Sequence, residues 1–248
     1  MMNFKKDLYP FTTESINGYI HDMDLKDKSV LTLGSSLDQA YNSLLLGASK
    51  VTVFDINVNA EKFHKLKSNL ILTHPRKQLY DKVMSSYNFH DYSYTTEGSV
   101  YKCNLYMQSE DNYGLLREKL SQNEISFING NIFDIKDSLD DNLYDRMILS
   151  NAVQYLEMYS INKDVYKVLK KMFNTLKSHL NDEGIMQLLY FYNTKLINGN
   201  ICYDDFFNGY NLDKILEVLS NDDLDNFKLL EFENDYIGKD AVVLYKKR

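Results

Sequence analysis

The feature that most constrains this sequence is a regular alternation of short apolar runs with segments of helical periodicity. Residues 29–33 form a β-branched, apolar run that ends at Gly34, and residues 37–46 then place apolar side chains at helical spacing. A second apolar run at 50–57 and a second helical pattern follow at once. Two strands joined by a helix predict a right-handed parallel βαβ unit.

The alternation is interrupted once and then resumes. Residues 73–120 are polar and rich in tyrosine, and we interpret them as a partly helical insertion. Beyond it, apolar runs are found at 124–135, 143–151 and 185–192, and helical patterns at 165–180 and 211–220. The last two apolar runs, 227–235 and 241–247, are separated by a short turn, which predicts an antiparallel hairpin. The sequence therefore predicts an α/β fold with a Rossmann-like, mostly parallel sheet and a C-terminal antiparallel hairpin, the layout of class I methyltransferase-like proteins.

Length and hydropathy favour one globular domain. A chain of 248 residues fits one core with extra segments, so we predict a single domain over 1–248, with an N-terminal lid segment at 1–28 and the insertion at 73–120. The N-terminus has no signal-peptide core, and no stretch reaches the roughly 18 apolar residues of a membrane span. We therefore expect a cytoplasmic protein with no stable membrane insertion.

Charge and cysteine content argue against two classes of ligand. The formal net charge is −7, whereas a duplex nucleic acid demands a basic face, so we expect no nucleic-acid partner. Cys103 and Cys202 are far apart in sequence, and the histidines are scattered without the spacing of metal ligands. We therefore expect no metal site.

The turn after the first predicted strand and the acid after the second mark the expected ligand site, because open α/β sheets bind ligands outside the carboxyl ends of their strands. The turn reads G-S-S-L-D-Q from Gly34 and lacks the G-x-G-x-x-G pattern that cradles a pyrophosphate. This favours S-adenosylmethionine over NAD or FAD. Asp55 follows about 20 residues later, where its carboxylate can accept from ribose hydroxyls. The alternatives are a turn without a ligand and an Asp55 that caps the next helix together with Asn57.

Two further loops complete the predicted site. After the third strand, Asn131 can accept from the adenine amino group and the Ile132 amide can donate to a ring nitrogen, although Asn131 can equally serve only to turn the chain. After the fourth strand, Ser150 and Asn151 are interpreted as positioning groups, because neither ionises near neutral pH. The predicted substrate wall consists of Tyr9, Phe11 and Tyr155. The predicted cofactor-binding residues are Gly34, Ser35, Ser36, Asp38, Asp55, Ile56, Asn57, Asn131, Ile132, Ser150 and Asn151.

Residues 30–71 resemble the signature of the S-adenosylmethionine-dependent 3-amino-3-carboxypropyl transferases that build betaine lipids. The similar elements are the Gly-Ser turn at Gly34, the D-x-N motif at Asp55 and Asn57, and an SN-x-x-x-YL loop at 150–156. The resemblance implies S-adenosylmethionine as the cofactor and an aminocarboxypropyl group as the group transferred. A lipid acceptor is not expected, because the chain shows no membrane-binding amphipathic helix.

Two classes of function follow from these residues. The first is an S-adenosylmethionine-dependent transferase that moves a methyl or a 3-amino-3-carboxypropyl group to a small-molecule acceptor. The sulfonium activates both carbons, so the positioning of the acceptor decides which one reacts. The second is a non-catalytic module that binds S-adenosylmethionine or S-adenosylhomocysteine, which the absence of an obvious general base supports. No residue is assigned as catalytic.

Overall fold

The computed structural model describes residues 8–34, 36–86, 95–139, 141–155, 164–197, 200–202, 212–220, 224–234 and 238–248. The chain divides into two compact units, residues 1–130 and 131–248. The first unit contains the predicted βαβ segment and the insertion, and the second contains the predicted hairpin.

The first unit is built on three parallel strands. They are β1 (Ser29–Leu33), β2 (Lys50–Asp55) and β3 (Ile125–Asn129), in the order β3-β2-β1. Helix α1 (Asp38–Leu45) connects β1 to β2, and helix α2 (Ala60–Thr73) follows β2. The interior residues of β1 and β2 are buried, as expected for strands that are covered on both faces. The parallel βαβ unit predicted from the apolar pattern is confirmed.

The insertion forms helices in the part of 73–120 that the structure describes. These helices are α3 (Arg76–Ser86), α4 (Glu97–Cys103), α5 (Leu105–Gln108) and α6 (Glu110–Gln122). Thr96 begins α4 with a capping box, and the Ser109 side chain accepts from a backbone amide at the start of α6. Helices α5 and α6 pack against α1, and every residue of α1 is buried. The insertion therefore covers a helix that would otherwise face solvent on one side.

The second unit combines parallel and antiparallel strands. Its elements are β4 (Tyr144–Ile148), α7 (Val165–Ser178), β5 (Leu180–Ile197), β6 (Asn200–Cys202), α8 (Leu212–Ser220), β7 (Phe227–Glu233) and β8 (Lys239–Lys246). Strand β5 is parallel to β4 and antiparallel to β8, and β8 is antiparallel to β7, which gives the order β4-β5-β8-β7. The short strand β6 pairs with the end of β5.

Strand β5 begins earlier than the sequence indicates. Residues 181–184 carry turn residues and predict a loop before the strand, whereas β5 already starts at Leu180. The register with β4 shifts between Tyr144 and Arg146, so residues 181–184 form an irregularity within the strand. A Cβ at Gly184 would overlap a neighbouring backbone carbonyl, so glycine is required there.

The strand pairings within the two units confirm the predicted α/β fold. The strands are mostly parallel and alternate with helices, and the C-terminal pair β7 and β8 is antiparallel, which is the Rossmann-like, class I methyltransferase-like layout. Among the described residues, no helix combines the length and the apolar character needed to cross a membrane. Within the same residues, no group of three or more His, Cys, Asp or Glu side chains is placed to hold a metal ion.

Candidate functional site

Gly34 and Asp55 meet at the carboxyl ends of β1 and β2. The two strands are adjacent and parallel, with Leu33 opposite Phe54, so the residues that follow them lie at the same edge. The Gly34 amide donates to the Phe54 carbonyl oxygen at 2.7 Å. A Cβ at position 34 would overlap the Asp55 carboxylate, so only glycine fits there. This contact joins the turn and the acid that the sequence predicts to act together.

The Asp55 side chain also shapes the loop that leads into α2. Its Oδ1 accepts from the Asn57 amide at 2.7 Å, and Asn57 Oδ1 accepts from the Asn59 amide at 2.9 Å. Helix α2 begins at Ala60, and Asn59 at its N-cap makes no side-chain capping bond. Asp55 and Asn57 thus form consecutive Asx turns before the helix and do not cap it. Both Asp55 and Ile56 are partly exposed.

The turn after β1 has an unusual backbone. Leu37 takes a φ of 69°, in the left-handed region that a large side chain rarely adopts. Its side chain is fully buried, and its amide donates to the Gly34 carbonyl oxygen at 2.6 Å. Such conformations persist where the surroundings fix them, and they cluster at ligand sites. Ser36 is also fully buried, whereas the predicted cofactor residue Ser35 lies outside the described residues.

A buried ion pair fixes this turn. Lys67 on α2 donates to Asp38 Oδ1 at 2.7 Å, and neither side chain is exposed. The ammonium also donates to the carbonyl oxygens of Pro10, at 2.9 Å, and Ser36, at 2.8 Å. The three protons of the ammonium therefore each have an acceptor. Burial lowers the pKa of Lys67, and the charge of Asp38 opposes that shift.

The Asp38 carboxylate has further donors on both oxygens. Oδ1 accepts from the Tyr106 hydroxyl at 2.7 Å, and Oδ2 accepts from the Thr12 amide at 2.6 Å. Burial raises the pKa of Tyr106 and the charge of Asp38 adds to the shift, so the phenol keeps the proton that it donates. The network joins the N-terminal segment, the turn after β1, α2 and α5. Because both carboxylate oxygens contact protein groups, cofactor binding by Asp38 stays a prediction.

The aromatic residues of the predicted substrate wall lie in different surroundings. Phe11 is fully buried, with its ring 4.3 Å from Lys67 Nζ and stacked on Tyr80 at a centroid distance of 5.7 Å. Tyr9 is partly exposed. The backbone of Tyr155 ends a 3-10 turn, and its side chain lies outside the described part of the chain. Phe11 therefore has a packing role in this structure, and the wall itself stays a prediction.

Asn131 begins a 3-10 helix in the second unit. Its Oδ1 accepts from the Phe133 amide at 3.0 Å and so caps that helix. Ile132 follows and is buried. The chain-turning role considered for Asn131 is therefore present. The side-chain oxygen Oδ1 of Asn131 has a second lone pair that could accept from the adenine amino group. The adenine contacts of Asn131 and Ile132 stay predictions.

The loop after β4 is held by a residue of β5. Ser150 has a φ of 55°, and its amide donates to Gln187 Oε1 at 2.7 Å while its carbonyl oxygen accepts from Gln187 Nε2 at 3.2 Å. Gln187 is fully buried. The next residue, Asn151, donates from Nδ2 to the Tyr192 hydroxyl at 3.4 Å. Ser150 and Asn151 are thus fixed by two side chains of β5, and their contact with a cofactor stays a prediction.

Lys67 and Gln187 build these networks, yet neither was identified from the sequence as a site residue. Lys67 lies four residues after Phe63 and four before Ile71, on the apolar face of the helical pattern, where a lysine must find a buried partner. Gln187 is the amide within the apolar run IMQLLYFY at 185–192. A polar side chain in such a run signals a specific hydrogen bond, but not its partner.

No protein family model and no curated protein matches the sequence. Solved structures with a similar fold include TehB from Haemophilus influenzae, at 14% identity and a TM-score of 0.43, over 89% of this chain and 58% of TehB. This chain thus spans 58% of the length of TehB. N-methyltransferase NodS from Bradyrhizobium japonicum WM9 is 10% identical, with a TM-score of 0.46 and 92% of each chain covered. The rRNA methyltransferase aviRa from Streptomyces viridochromogenes is 15% identical, with a TM-score of 0.47, over 96% of this chain and 86% of aviRa.

The expectation that nucleic acids are not partners is wrong, because the structures similar to this chain include an rRNA methyltransferase. That expectation rests on net charge, which does not report how charge is distributed over a surface. Helix α7 illustrates the point. It carries Lys167, Lys170, Lys171 and Lys177 and no acidic residue, in a chain whose net charge is −7.

Proposed function

We propose that this chain binds S-adenosylmethionine and transfers its methyl group to an acceptor. The observation that carries the proposal is the contact between Asp55 and Gly34 at the carboxyl ends of two adjacent parallel strands. Ligands of open α/β sheets bind at this edge. A partly exposed residue with a carboxylate at this edge suits the paired hydroxyls of a ribose, and the missing side chain of Gly34 makes room for that carboxylate beside the turn.

The residues fit a phosphate-free nucleoside cofactor better than a dinucleotide. The turn after β1 contains only one glycine, and Leu37 and Ser36 fill it with buried side chains, so few backbone amides are bare for a pyrophosphate. Asp55 would accept from the ribose hydroxyls, while Lys67 and Asp38 hold the turn in place. When bound, the cofactor supplies a sulfonium that makes its methyl carbon an electrophile.

The transfer itself requires little acid or base chemistry from the protein. With the cofactor bound, the acceptor lone pair would form a bond to the methyl carbon while the carbon–sulfur bond broke, and the electron pair of that bond would stay on sulfur to give S-adenosylhomocysteine. The acceptor proton then leaves to solvent. The protein contributes orientation and exclusion of water. This agrees with Ser150 and Asn151, which position but do not ionise.

A second candidate reaction is aminocarboxypropyl transfer, because the D-x-N motif and the SN-x-x-x-YL loop resemble those of the betaine-lipid family. The two reactions differ in their by-products, because aminocarboxypropyl transfer leaves 5′-methylthioadenosine in place of S-adenosylhomocysteine. A cytoplasmic location is part of the proposal.

Product analysis tests the function. Purified chain is incubated with S-adenosylmethionine labelled separately in the methyl and the aminocarboxypropyl group, together with small-molecule, RNA and protein fractions of a cell extract. We expect methyl label in one fraction and an equal amount of S-adenosylhomocysteine. Aminocarboxypropyl label with 5′-methylthioadenosine would replace the methyl assignment. Tight cofactor binding without either product would establish the non-catalytic module, and Asp55→Ala serves as the control for contaminating enzymes.

A further inference from the structure

Gln187 holds three backbone groups of the segment that leaves β4. Its own carbonyl oxygen accepts from the Leu149 amide at 3.0 Å, in continuation of the pairing between Ile148 and Gln187. Its side chain then accepts from the Ser150 amide at 2.7 Å and donates to the Ser150 carbonyl oxygen at 3.2 Å. The side-chain amide thus satisfies both backbone groups of a single residue, as a neighbouring strand would.

The residue held in this way has a strained backbone. The φ of Ser150 is 55°, in the left-handed region, where a residue with a Cβ is less stable than in the extended or helical regions. Such a conformation persists only where surrounding contacts over-determine it. The exposed fraction of Gln187 is 0%, and hydrogen bonds in so dry an environment are strong. The two hydrogen bonds between the Gln187 side chain and the Ser150 backbone, here called the Gln187 clamp, are therefore able to keep Ser150 in this conformation.

The strained residue lies where a ligand is expected. Ser150 and Asn151 follow the carboxyl end of β4, the edge at which parallel sheets bind their ligands. Asn151 is itself fixed by its bond to the Tyr192 hydroxyl, at 3.4 Å. Gln187 and Tyr192 both belong to β5, so one strand sets the direction of both loop residues.

We infer that Gln187 is a positioning residue that holds Ser150 in the backbone conformation in which Ser150 and Asn151 contact the methionine part of S-adenosylmethionine. This inference rests on the proposed function. Gln187 does not touch the cofactor and acts only through the backbone of Ser150. A purely structural role would instead affect folding and leave the preference among ligands unchanged.

Two ligands separate these roles, because 5′-methylthioadenosine carries the adenosine of S-adenosylmethionine but lacks its sulfonium and aminocarboxypropyl group. In Gln187→Met, which removes both side-chain bonds at similar volume, we expect the Kd of S-adenosylmethionine to rise at least tenfold and that of 5′-methylthioadenosine to change less than threefold. Met186→Ala is the matched control. Met186 is buried next to Gln187 but points to the other face of the strand, so its loss destabilises β5 and leaves the clamp intact.

A second pair of variants tests the strain itself. Glycine adopts positive φ without cost, so the affinity lost through Gln187→Met should be at least threefold smaller in a Ser150→Gly background than in the wild-type background. Gln187→Asn keeps the amide, but its side chain is one methylene shorter and cannot make both hydrogen bonds to Ser150. This variant is used if Gln187→Met does not fold. Hydrogen exchange should show loss of protection at the Ser150 amide in either variant.

The outcomes are distinct. A selective loss of S-adenosylmethionine affinity with partial rescue by Ser150→Gly supports the inference. An equal loss for both ligands, matched by Met186→Ala, overturns it and leaves Gln187 a stabilising residue, and so does an unchanged affinity for S-adenosylmethionine. A wild-type chain that binds neither ligand overturns both this inference and the proposed function. An equal loss for both ligands, or an unchanged affinity for S-adenosylmethionine, overturns the inference alone.

Discussion

The turn after β1 and the loop after β4 are both fixed by buried polar side chains, but through opposite chemistry. In the first unit, Lys67 and Asp38 form a fully buried ion pair that also binds the backbone of residues 10, 12 and 36. In the second unit, the neutral amide of Gln187 binds the backbone of Ser150 alone. The ion pair joins distant segments, whereas the clamp controls one residue.

This difference has energetic consequences. A buried charge is tolerated only while its partner is present, because an uncompensated charge in the interior is far more costly than an unpaired amide. We therefore expect variants of the ion pair to lower the free energy of unfolding strongly. Variants of the clamp should act mainly on ligand binding.

Lys67→Met should produce the largest effect. It leaves Asp38 buried without its cation, and we expect the free energy of unfolding to fall by about 3–5 kcal/mol in urea denaturation. Combining Lys67→Met with Asp38→Leu removes both charges and should restore part of the loss. The remainder persists because the Tyr106 hydroxyl and the Thr12 amide lose their acceptor. A loss below about 1 kcal/mol in the single variant, the size of an ordinary surface pair, would contradict the importance given to the ion pair.

His64 is a second buried titratable residue of the first unit, and it differs from Lys67 because its neutral form is favoured in the folded protein. Burial lowers its pKa to about 4, and the charges of Lys65 and Lys67 act in the same direction. Its ring lies near the Tyr41 hydroxyl and the Ser68 hydroxyl, each 3.4 Å from Nδ1. The charge of Glu61 opposes the lowering of the pKa but does not cancel it, so the folded protein favours the neutral imidazole.

The pH dependence follows from this lowered pKa. Between pH 4 and 6.5 the unfolded chain binds a proton at His64 and the folded chain does not. The contribution of the neutral His64 to the free energy of unfolding is therefore complete above pH 6.5, and it is lost as the pH falls toward 4. Its size is at most about 3 kcal/mol. Subtracting the pH–stability curve of His64→Gln from that of the wild type should isolate this contribution, and a flat difference over this range would show that folding leaves the pKa of His64 unchanged.

Tyr106→Phe removes a single hydrogen bond to Asp38 and leaves the ion pair between Asp38 and Lys67 in place. The variant keeps the ring and removes one hydrogen bond to a buried carboxylate, and we expect a loss of about 2 kcal/mol. Tyr113→Phe is the matched control, because the Tyr113 hydroxyl donates to the neutral carbonyl oxygens of Ile71 and His74 at 3.3 and 3.1 Å. Its loss should be about 1 kcal/mol. Equal losses in thermal or urea unfolding would mean that the charge of Asp38 adds nothing to the bond with Tyr106.

The elements of the fold were largely predictable because their signals are local. The bounds of β1 at 29–33 agree with the apolar run, and helix α8 differs from its predicted range by one residue. The meeting of Gly34 and Asp55 was also predictable, because adjacent parallel strands bring their carboxyl ends together.

The networks were not predictable, because each joins residues that are remote in sequence. Lys67 and Asp38 are 29 residues apart, and Gln187 and Ser150 are 37 apart. Whether a lysine on an amphipathic helix is buried depends on what covers that helix, and here part of the cover comes from the N-terminal segment through Pro10 and Phe11. The irregularity at 181–184 was not predicted either, because turn residues inside a strand have the same sequence pattern as a loop.

Titration calorimetry of S-adenosylmethionine into the wild-type chain and Asp55→Asn tests the cofactor assignment most directly. Asparagine keeps an oxygen that accepts from the Asn57 amide, so the loop and the folding stability should be preserved, while the charged acceptor for the ribose hydroxyls is lost. We expect wild-type binding and a loss of about 1–2 kcal/mol in the variant, which is roughly a 5- to 30-fold rise in Kd. Equal affinity in a folded Asp55→Asn, or no binding by the wild type, would contradict the assignment.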